Sequence, residues 1–579
     1  MREMYNLYTV FNRSTGQVTH HIPDGGMLRS NTEEGAFWTF RASTQYENTF
    51  NDRHEISATG GFEFRQQNTR TNSNLMMGYD DATQTNSNGM VNWGTLKDLA
   101  GSSSIFGPDY SMFGAPEPEA TATSDILHRF YSLYLTGNYV YDRRYSVQGS
   151  IRLDKADLFG ADPKYRGRPL WSVGLSWNLH NEKFIQQFPA VNVLKLRYSH
   201  GLTGNIAQNF SSYLTATIGV NSIYGNKYAS LNTPPNDQLR WEKTRTNNVG
   251  VDFAFWDFIL SGSVDFYHKR GSDLLTVTDI DPTTGWTSLT INNGSAVNTG
   301  VEVQLNSQIL RAATRDDFGL DLGFNISYNH NKVTKVGHQP ATGMEALSSN
   351  TLHEGYPVNS LFSYDFAGMV TDGDMQYFSW RDHNGEIHTS DIANEDFTVS
   401  DIVYSGALDP KVMGSLTPEL TWKGFSLSAM MSFYAGHHMR VNTEEWTSDG
   451  SMYGYRNLSV VDAIPSSYLN YWRTGDDSRY VANGYLGGSH VIGNSSYMSA
   501  NVVPADFVTL RNVVIGYSFS PSVCRKLRID DLRLRFQVND VCKWVRNKYG
   551  IDPEANNAID GSKSLRTPRS YTMSLFIKF

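Results

Sequence analysis

The sequence predicts an all-β fold, a transmembrane antiparallel up-and-down β-barrel, and three observations carry that expectation. The chain closes on a strand, long strand pairs joined by tight turns recur along it, and long polar segments separate those pairs. At the carboxyl end Tyr571, Met573, Leu575, Ile577 and Phe579 alternate with Thr572, Ser574, Phe576 and Lys578. Period-2 alternation over about ten residues is the pattern and length of a membrane-crossing strand.

The hairpins repeat one design. Tyr131, Leu133, Leu135, Tyr139 and Tyr141 lead to a turn at Asp142-Arg143, and Tyr145, Val147, Gly149, Ile151 and Leu153 return against Ser146, Gln148, Ser150, Arg152 and Asp154. Val249, Val251, Phe253 and Phe255 lead to a turn at Trp256-Asp257, followed by Phe258, Leu260, Val264 and Phe266. Further tight turns are expected at Ser14-Thr15-Gly16, Asn51-Asp52 and Lys423-Gly424. Val301, Val303 and Leu305 face away from Glu302, Gln304 and Asn306, as Leu532, Leu534, Phe536 and Val538 face away from Arg533, Arg535, Gln537 and Asn539. Each strand thus offers one face suited to lipid and one suited to water.

Composition agrees and excludes other classes. Of 579 residues 39% are apolar, with no run near the ~18 apolar residues of a spanning helix. An aromatic share of 13% fits the two aromatic girdles of a lipid-embedded barrel. A net charge of −9 argues against a nucleic-acid partner, since phosphate binding wants a basic surface. Cys524 and Cys542 are the two cysteines. Placed at opposite ends of a strand pair, they lie beyond the ~7 Å Cα separation a disulfide tolerates, so two free thiols are expected. Met1 to Tyr8 carries no apolar leader or cleavage site, so a secretory signal has been removed or the sequence begins partway through a longer protein.

Polar stretches at 66–126, 203–242, 271–297, 331–357 and 438–503 read as long loops on the rim opposite the tight turns, which are expected to be periplasmic. Leu361 to Val370 looks like a strand but fits the up-down parity only if another strand lies nearby. The count is odd, roughly 17 to 19 strands, whereas a closed bacterial barrel has an even number. The chain is therefore expected to be a fragment or to be completed by another chain.

Particular segments carry a family resemblance. Leu194-Lys-Leu-Arg-Tyr-Ser-His-Gly-Leu-Thr-Gly-Asn205, Leu239-Arg-Trp-Glu-Lys-Thr244, Val264-Asp-Phe-Tyr-His-Lys269 with Asp273-Leu-Leu275, and Asn298-Thr-Gly-Val-Glu302 resemble, in order, the barrel of SusC/RagA-type TonB-linked outer-membrane transporters. Glu354-Gly-Tyr-Pro357, Trp472-Arg-Thr-Gly-Asp-Asp477, Leu510-Arg-Asn-Val513 with Gly516-Tyr517, and Tyr549-Gly-Ile-Asp-Pro-Glu554 look like later landmarks of that family. The terminal Phe579 resembles the C-terminal signature of bacterial outer-membrane barrels.

The resemblance implies a barrel of about 22 strands, a plug that this chain lacks, a TonB-interacting segment, and a SusD-like surface lipoprotein that passes oligosaccharide or peptide inward. On that basis residues 1–35 are leading barrel strands and a loop, and 36–579 are the C-terminal portion of the TonB-dependent receptor-like barrel. The chain is expected in the outer membrane, in contact with its lipid, importing actively and without bond chemistry. A passive porin or structural barrel is the alternative.

Sharper hints each have a plainer reading. Asp265, Glu302 and His268 are ionisable and near strand ends, yet no motif sets a nucleophile beside a base, and lumen lining is the expectation. Thr371-Asp-Gly-Asp374 suggests a calcium loop but lacks its acidic spacing and distal Glu. His437-His438 are adjacent, and adjacent strand residues point to opposite faces. The aromatic stretch Trp446 to Tyr455 could stack on sugar rings or meet the lipoprotein, though girdle or loop packing is the plainer reading. No catalytic, cofactor-binding or metal residue is assigned, and no cofactor is expected.

Overall fold

The structure is a computed structural model that describes residues 9–12, 14–92, 121–157, 167–205, 212–220, 227–348, 351–372, 375–389, 397–441 and 497–579. Its strands are, in chain order, β1 (Thr9–Asn12), β2 (Gln17–His20), β3 (Gly26–Phe50), β4 (His54–Tyr79), β5 (Thr121–Tyr141), β6 (Tyr145–Ala156), β7 (Gly167–Asn178), β8 (Val191–Asn205), β9 (Thr215–Val220), β10 (Lys227–Thr233), β11 (Glu242–Phe255), β12 (Leu260–Asp279) and β13 (Ser288–Leu310). There follow β14 (Gly319–Lys335), β15 (Ser360–Asp372), β16 (Met375–Arg381), β17 (Ile387–His388), β18 (Ile402–Ala407), β19 (Val412–Trp422), β20 (Phe425–Ala435), β21 (His438–Arg440), β22 (Val502–Pro504), β23 (Phe507–Ser518), β24 (Asp531–Val545) and β25 (Ser570–Lys578). Among the described residues no helix is long and apolar enough to cross a membrane, which says nothing of strands.

Among the described residues, fifteen strands form one sheet in the order β25-β24-β23-β20-β19-β14-β13-β12-β11-β8-β7-β6-β5-β4-β3. That is fewer than the roughly 17 to 19 expected, because β1–β2, β9–β10, β21–β22 and the four strands β17-β16-β15-β18 form separate sheets. The parity puzzle around Leu361 resolves the same way. β15 pairs with β16 and β18, while β14 passes directly to β19, from Gly319 against Thr421 to Tyr328 against Val412. The boundary expected at residue 35 falls inside β3.

The tight turns sit where alternation placed them, and backbone geometry explains why. Asn51 and Asp52, Asp142 and Arg143, Trp256 and Asp257, and Lys423 and Gly424 all have positive φ. Two such residues in succession give the turn whose twist matches that of the flanking strands. At the other end the strands outrun their expected limits: β12 and β13 continue through 271–297, from Ser272 against Ser295 to Asp279 against Ser288. The stretch expected as a loop is a hairpin extension.

The chain divides into two compact units. The first comprises residues 1–44, 60–134 and 152–159, and is fastened by an Arg41–Glu63 ion pair and by Asn88, whose side chain accepts from Met77 N (2.6 Å) and donates to Leu75 O (2.7 Å). The second comprises 45–59, 135–151 and 160–579 and contains every site described below. An apolar core lies outside the main sheet: Leu347, Phe362, Tyr364, Trp380, Phe397 and Met498 pack together around β15 and β16.

Register makes the main sheet of the second unit two-faced. One row runs Trp177, Leu196, Val251, Val264, Val303, Ile326, and the next Leu175, Tyr198, Val249, Phe266, Val301, Tyr328, each residue opposite the next across the ladder. Val249, Phe266, Tyr328 and Leu175 are exposed. The same pattern closes the sheet, where Ile515, Phe536 and Met573 form one row. The alternate rows are polar, as in Arg197, Gly250, Asp265, Glu302, Ser327.

Cys524 lies buried in the short helix Pro521–Leu527 that joins β23 to β24, and Cys542 lies near the far end of β24, opposite Leu510. Both are free thiols.

Candidate functional site

Arg197 ties three strands of the polar face together. Arg197 on β8 donates through Nε and Nη2 to the two carboxylate oxygens of Asp252 (2.8 Å each), and through Nη2 to Oδ2 of Asp265 (3.0 Å). The planar fork suits this bidentate grip. Gly250 lies directly between Arg197 and Asp265 in the ladder, and a Cβ there would come within 2.5 Å of Asp265 Oδ1 and 2.7 Å of Arg197 Nη2. The absent side chain lets cation and carboxylate meet over the backbone. Gly250→Val is expected to separate them and cost about 1–3 kcal/mol, read as a lower urea midpoint in micelles; an unchanged midpoint would refute the bridge.

Of the three ionisable residues singled out by sequence, Asp265 and Glu302 are cross-strand neighbours on this polar face. His268 is not with them. It lies on the face of Val264 and Phe266, because its sequence parity matches theirs, and its Nδ1 sits 3.0 Å from the Thr299 hydroxyl. A hydroxyl beside an imidazole would need a carboxylate to orient the ring, and Asp265 and Glu302 project to the opposite face. The three do not converge.

At the far ends of β7, β11 and β12 the family-like segments Leu239–Thr244 and Asp273–Leu275 meet. Asp273 occupies a bulge with φ of 56°. Arg168 Nη1 (3.4 Å), Arg240 Nη2 (3.1 Å) and the Lys243 ammonium surround its carboxylate. Glu242 accepts from Leu275 N (3.0 Å), and Asn292 donates to the carbonyls of Arg240 and Asp273 (2.8 Å each). The motif residues hold a strand irregularity in place, which accounts for their spacing without a ligand.

The sheet β17-β16-β15-β18, inserted between β14 and β19, carries groups that sequence reading missed. Asp382, Glu386 and His388, and likewise Asp382, His383 and Asp401, bring candidate ligand atoms within 4.8 Å of one another. The signal was the run Asp382-His-Asn-Gly-Glu-Ile-His388. Hydrogen bonds already account for much of it: Asp382 Oδ1 accepts from Asn384 N (2.9 Å) and Glu386 N (2.8 Å), an Asx-type turn.

Buried Asp401 accepts from the Thr398 hydroxyl (2.6 Å), Thr398 N (2.8 Å), His383 N (2.9 Å) and His383 Nδ1 (2.7 Å). Burial pushes its carboxyl up, but these donors outweigh burial and hold it down at about 2. The folded value lies below the unfolded one, so the stabilisation is present above about pH 4 and lost as pH falls toward 2. The same hydrogen bond raises the pKa of His383, whose contribution is complete below its unfolded value and lost as pH rises through the folded one. Asp401→Asn is expected to flatten the acid limb of the melting profile by about 2 kcal/mol. An acid limb identical to that of the parent chain would contradict this.

His437 lies just before β21 and His438 begins it, and the two rings have different neighbours. His437 lies beside Phe507 with Nδ1 3.7 Å from Asp506, while the ring of His438 packs on Gly406, whose φ is +138°. Burial pushes both imidazoles down. Next to them Arg440, 3% exposed, donates through Nη2 to Phe362 O (2.9 Å) and through Nε to Ile559 O (3.1 Å), while its N–H donates to Ala558 O (2.8 Å). Burial lowers its pKa to about 10. The Thr371-to-Asp374 hint runs from the end of β15 into 373–374, and 373–374, Trp446 to Tyr455 and Trp472 to Asp477 lie outside the described residues.

A sheet with a continuous apolar face and an ion-paired polar face, turned tightly at one rim and extended at the other, defines an outer-membrane β-barrel protein. The chain belongs to the TonB dependent receptor-like, beta-barrel family, whose pattern matches residues 5–541.

It is 27% identical to TonB-dependent receptor P39 of Formosa agariphila over 96% of this chain and 54% of that protein, and 28% identical to TonB-dependent receptor SusC of Bacteroides thetaiotaomicron over 79% and 44%. The chain thus spans about half the length of the curated relatives it matches. Among solved structures, the RagAB peptide importer in its closed-closed state matches with a TM-score of 0.73 at 20% identity, covering 96% of this chain and 56% of that one. The fold is therefore of the SusC/RagA type, and the chain is an outer-membrane barrel protein of a transporter family rather than of an enzyme family.

Proposed function

We propose that this chain is the C-terminal barrel portion of an active importer that takes up oligosaccharides or peptides, with residues 36–579 forming the barrel and 1–35 leading into it. It works with a SusD-like surface lipoprotein on the long-loop side and with TonB through a segment outside this chain. The observation that supports this reading is the register-fixed sheet, lipid-facing on one side and charged on the other, in a chain similar to SusC over 79% of its length. Tight turns then face the periplasm. Binding and gating do the work, and no bond chemistry is involved.

Deleting the gene from its own bacterium should abolish growth on particular oligosaccharides or peptides, and deleting TonB should do the same. Uptake that persists without TonB would favour a passive barrel instead. A hydrolytic activity that copurifies and vanishes on mutating one polar-face residue would favour an enzyme.

A further inference from the structure

Beyond the apolar band the outward rows change character in a fixed order. The row of Tyr198, Val249, Phe266, Val301 and Tyr328 is followed by His200, Asn247, His268, Thr299 and His330, and then by Leu202, Arg245, Arg270, Val297 and Lys332. Lys335, opposite Ser295, extends the series. Arg245, Arg270, Lys332 and Lys335 are exposed, and none takes part in an ion pair among the described residues. No Asp or Glu occupies these rows on β8, β11, β12, β13 or β14.

On the opposite face carboxylates lie within reach of cations. There Arg197 is paired with two carboxylates, and Lys543 near the end of β24 with Asp552 and Glu554. Position explains what unpaired cations could do. Arg270 is four residues beyond Phe266 on the same face, roughly 13 Å along the strand. Asn247 to Trp256 already supplies the ~10 residues a tilted strand needs to cross hydrocarbon. The cationic row therefore falls just outside the apolar band, where long basic side chains meet lipid headgroups. Adjacent strands are about 4.8 Å apart, so Arg245, Arg270 and Lys332 fit within a span of roughly 15 Å.

We propose that this row is a docking surface for phosphorylated lipid headgroups in the leaflet at the long-loop rim. The occupant is a lipid because the cations continue the face that carries Val249, Phe266 and Tyr328, so a bound molecule can place its phosphates on the arginines and its acyl chains on the apolar rows. The inference rests on the outward face being the lipid face, and not on what the protein imports.

The chain purified in detergent, titrated with lipid A, tests it. Combined Arg245→Gln, Arg270→Gln and Lys332→Gln should weaken binding on the order of a hundredfold and flatten its salt dependence. Arg245→Lys with Arg270→Lys should retain most of it, and Arg533→Gln with Arg535→Gln on the polar face should change nothing. Heat-modifiable migration on electrophoresis verifies folding. Should the triple variant misfold, Lys332→Gln alone should still reduce the salt dependence. Undiminished binding by the triple variant, equal binding of dephosphorylated lipid A, or competition by inorganic phosphate at the same concentration as lipid would each overturn the proposal.

Discussion

Arg440→Met is expected to destabilise the inserted sheet by about 2–5 kcal/mol, since it leaves two buried carbonyls without their donor at about 1–3 kcal/mol each. The residue is 3% exposed, and its guanidinium joins Phe362 on β15 to Ile559 in the loop before β25. Its centre lies 5.1 Å from the ring centroid of Tyr497, and its carbonyl accepts from Asn556 Nδ2 (2.9 Å). Methionine would keep the stem's packing but leave the carbonyls of Phe362 and Ile559 without these donors in an apolar surrounding. Limited proteolysis of the folded chain reads the effect directly, with cleavage rising between residues 358 and 411 while the main sheet stays intact. Should protease resistance and melting match those of the parent, Arg440 is not the clasp.

Val251→Arg should cost about 2–4 kcal/mol, the penalty for a cation near the midplane of a lipid-facing band. Val251 sits between Leu196 and Val264 in the middle rows of that band. Ser263→Arg, one residue from Val264 but on the face of Asp252, should change stability by no more than about 1 kcal/mol, because that face is wet and already charged. Urea titration of chain folded into vesicles separates the two. Equal losses would mean the faces have been assigned the wrong way round.

Most of the main sheet was legible in the sequence because the side-chain period of a strand is two and leaves no freedom once one face is apolar. That logic located the turns at Asp142-Arg143, Trp256-Asp257 and Lys423-Gly424 and the rows they connect. It failed where polar residues continue a strand. Asp273, Asn292 and Gly294 look like loop residues, yet Asn292 bonds the backbone of Arg240 and Asp273, and the bulge at Asp273 keeps β12 and β13 paired beyond it.

His268 was placed with Asp265 and Glu302 by chemistry, whereas parity with Phe266 sets its face. The strand at Leu361 to Val370 is legible in the sequence, but its partners are not, because the pairings join residues distant in sequence, Ser360 with Ala407 for example, and no local pattern announces such a partner. The Asp382 to His388 run is visible in the sequence, but the Asp382 carboxylate serves a turn. Asp401 is held well below the usual carboxylate range by Thr398 and His383 around it.

The direct passage from β14 to β19 has a consequence in polymer terms. The excursion between β14 and β19 leaves and rejoins the main sheet at one strand pairing, which runs from Gly319 against Thr421 to Tyr328 against Val412. The entropic cost of closing a loop grows only with the logarithm of its length, about 0.6 kcal/mol for each doubling. Lengthening or shortening this excursion therefore hardly taxes the pairing of Gly319 with Thr421 or Tyr328 with Val412, so the sheet can keep one register while the material carried beyond its rim is free to diverge.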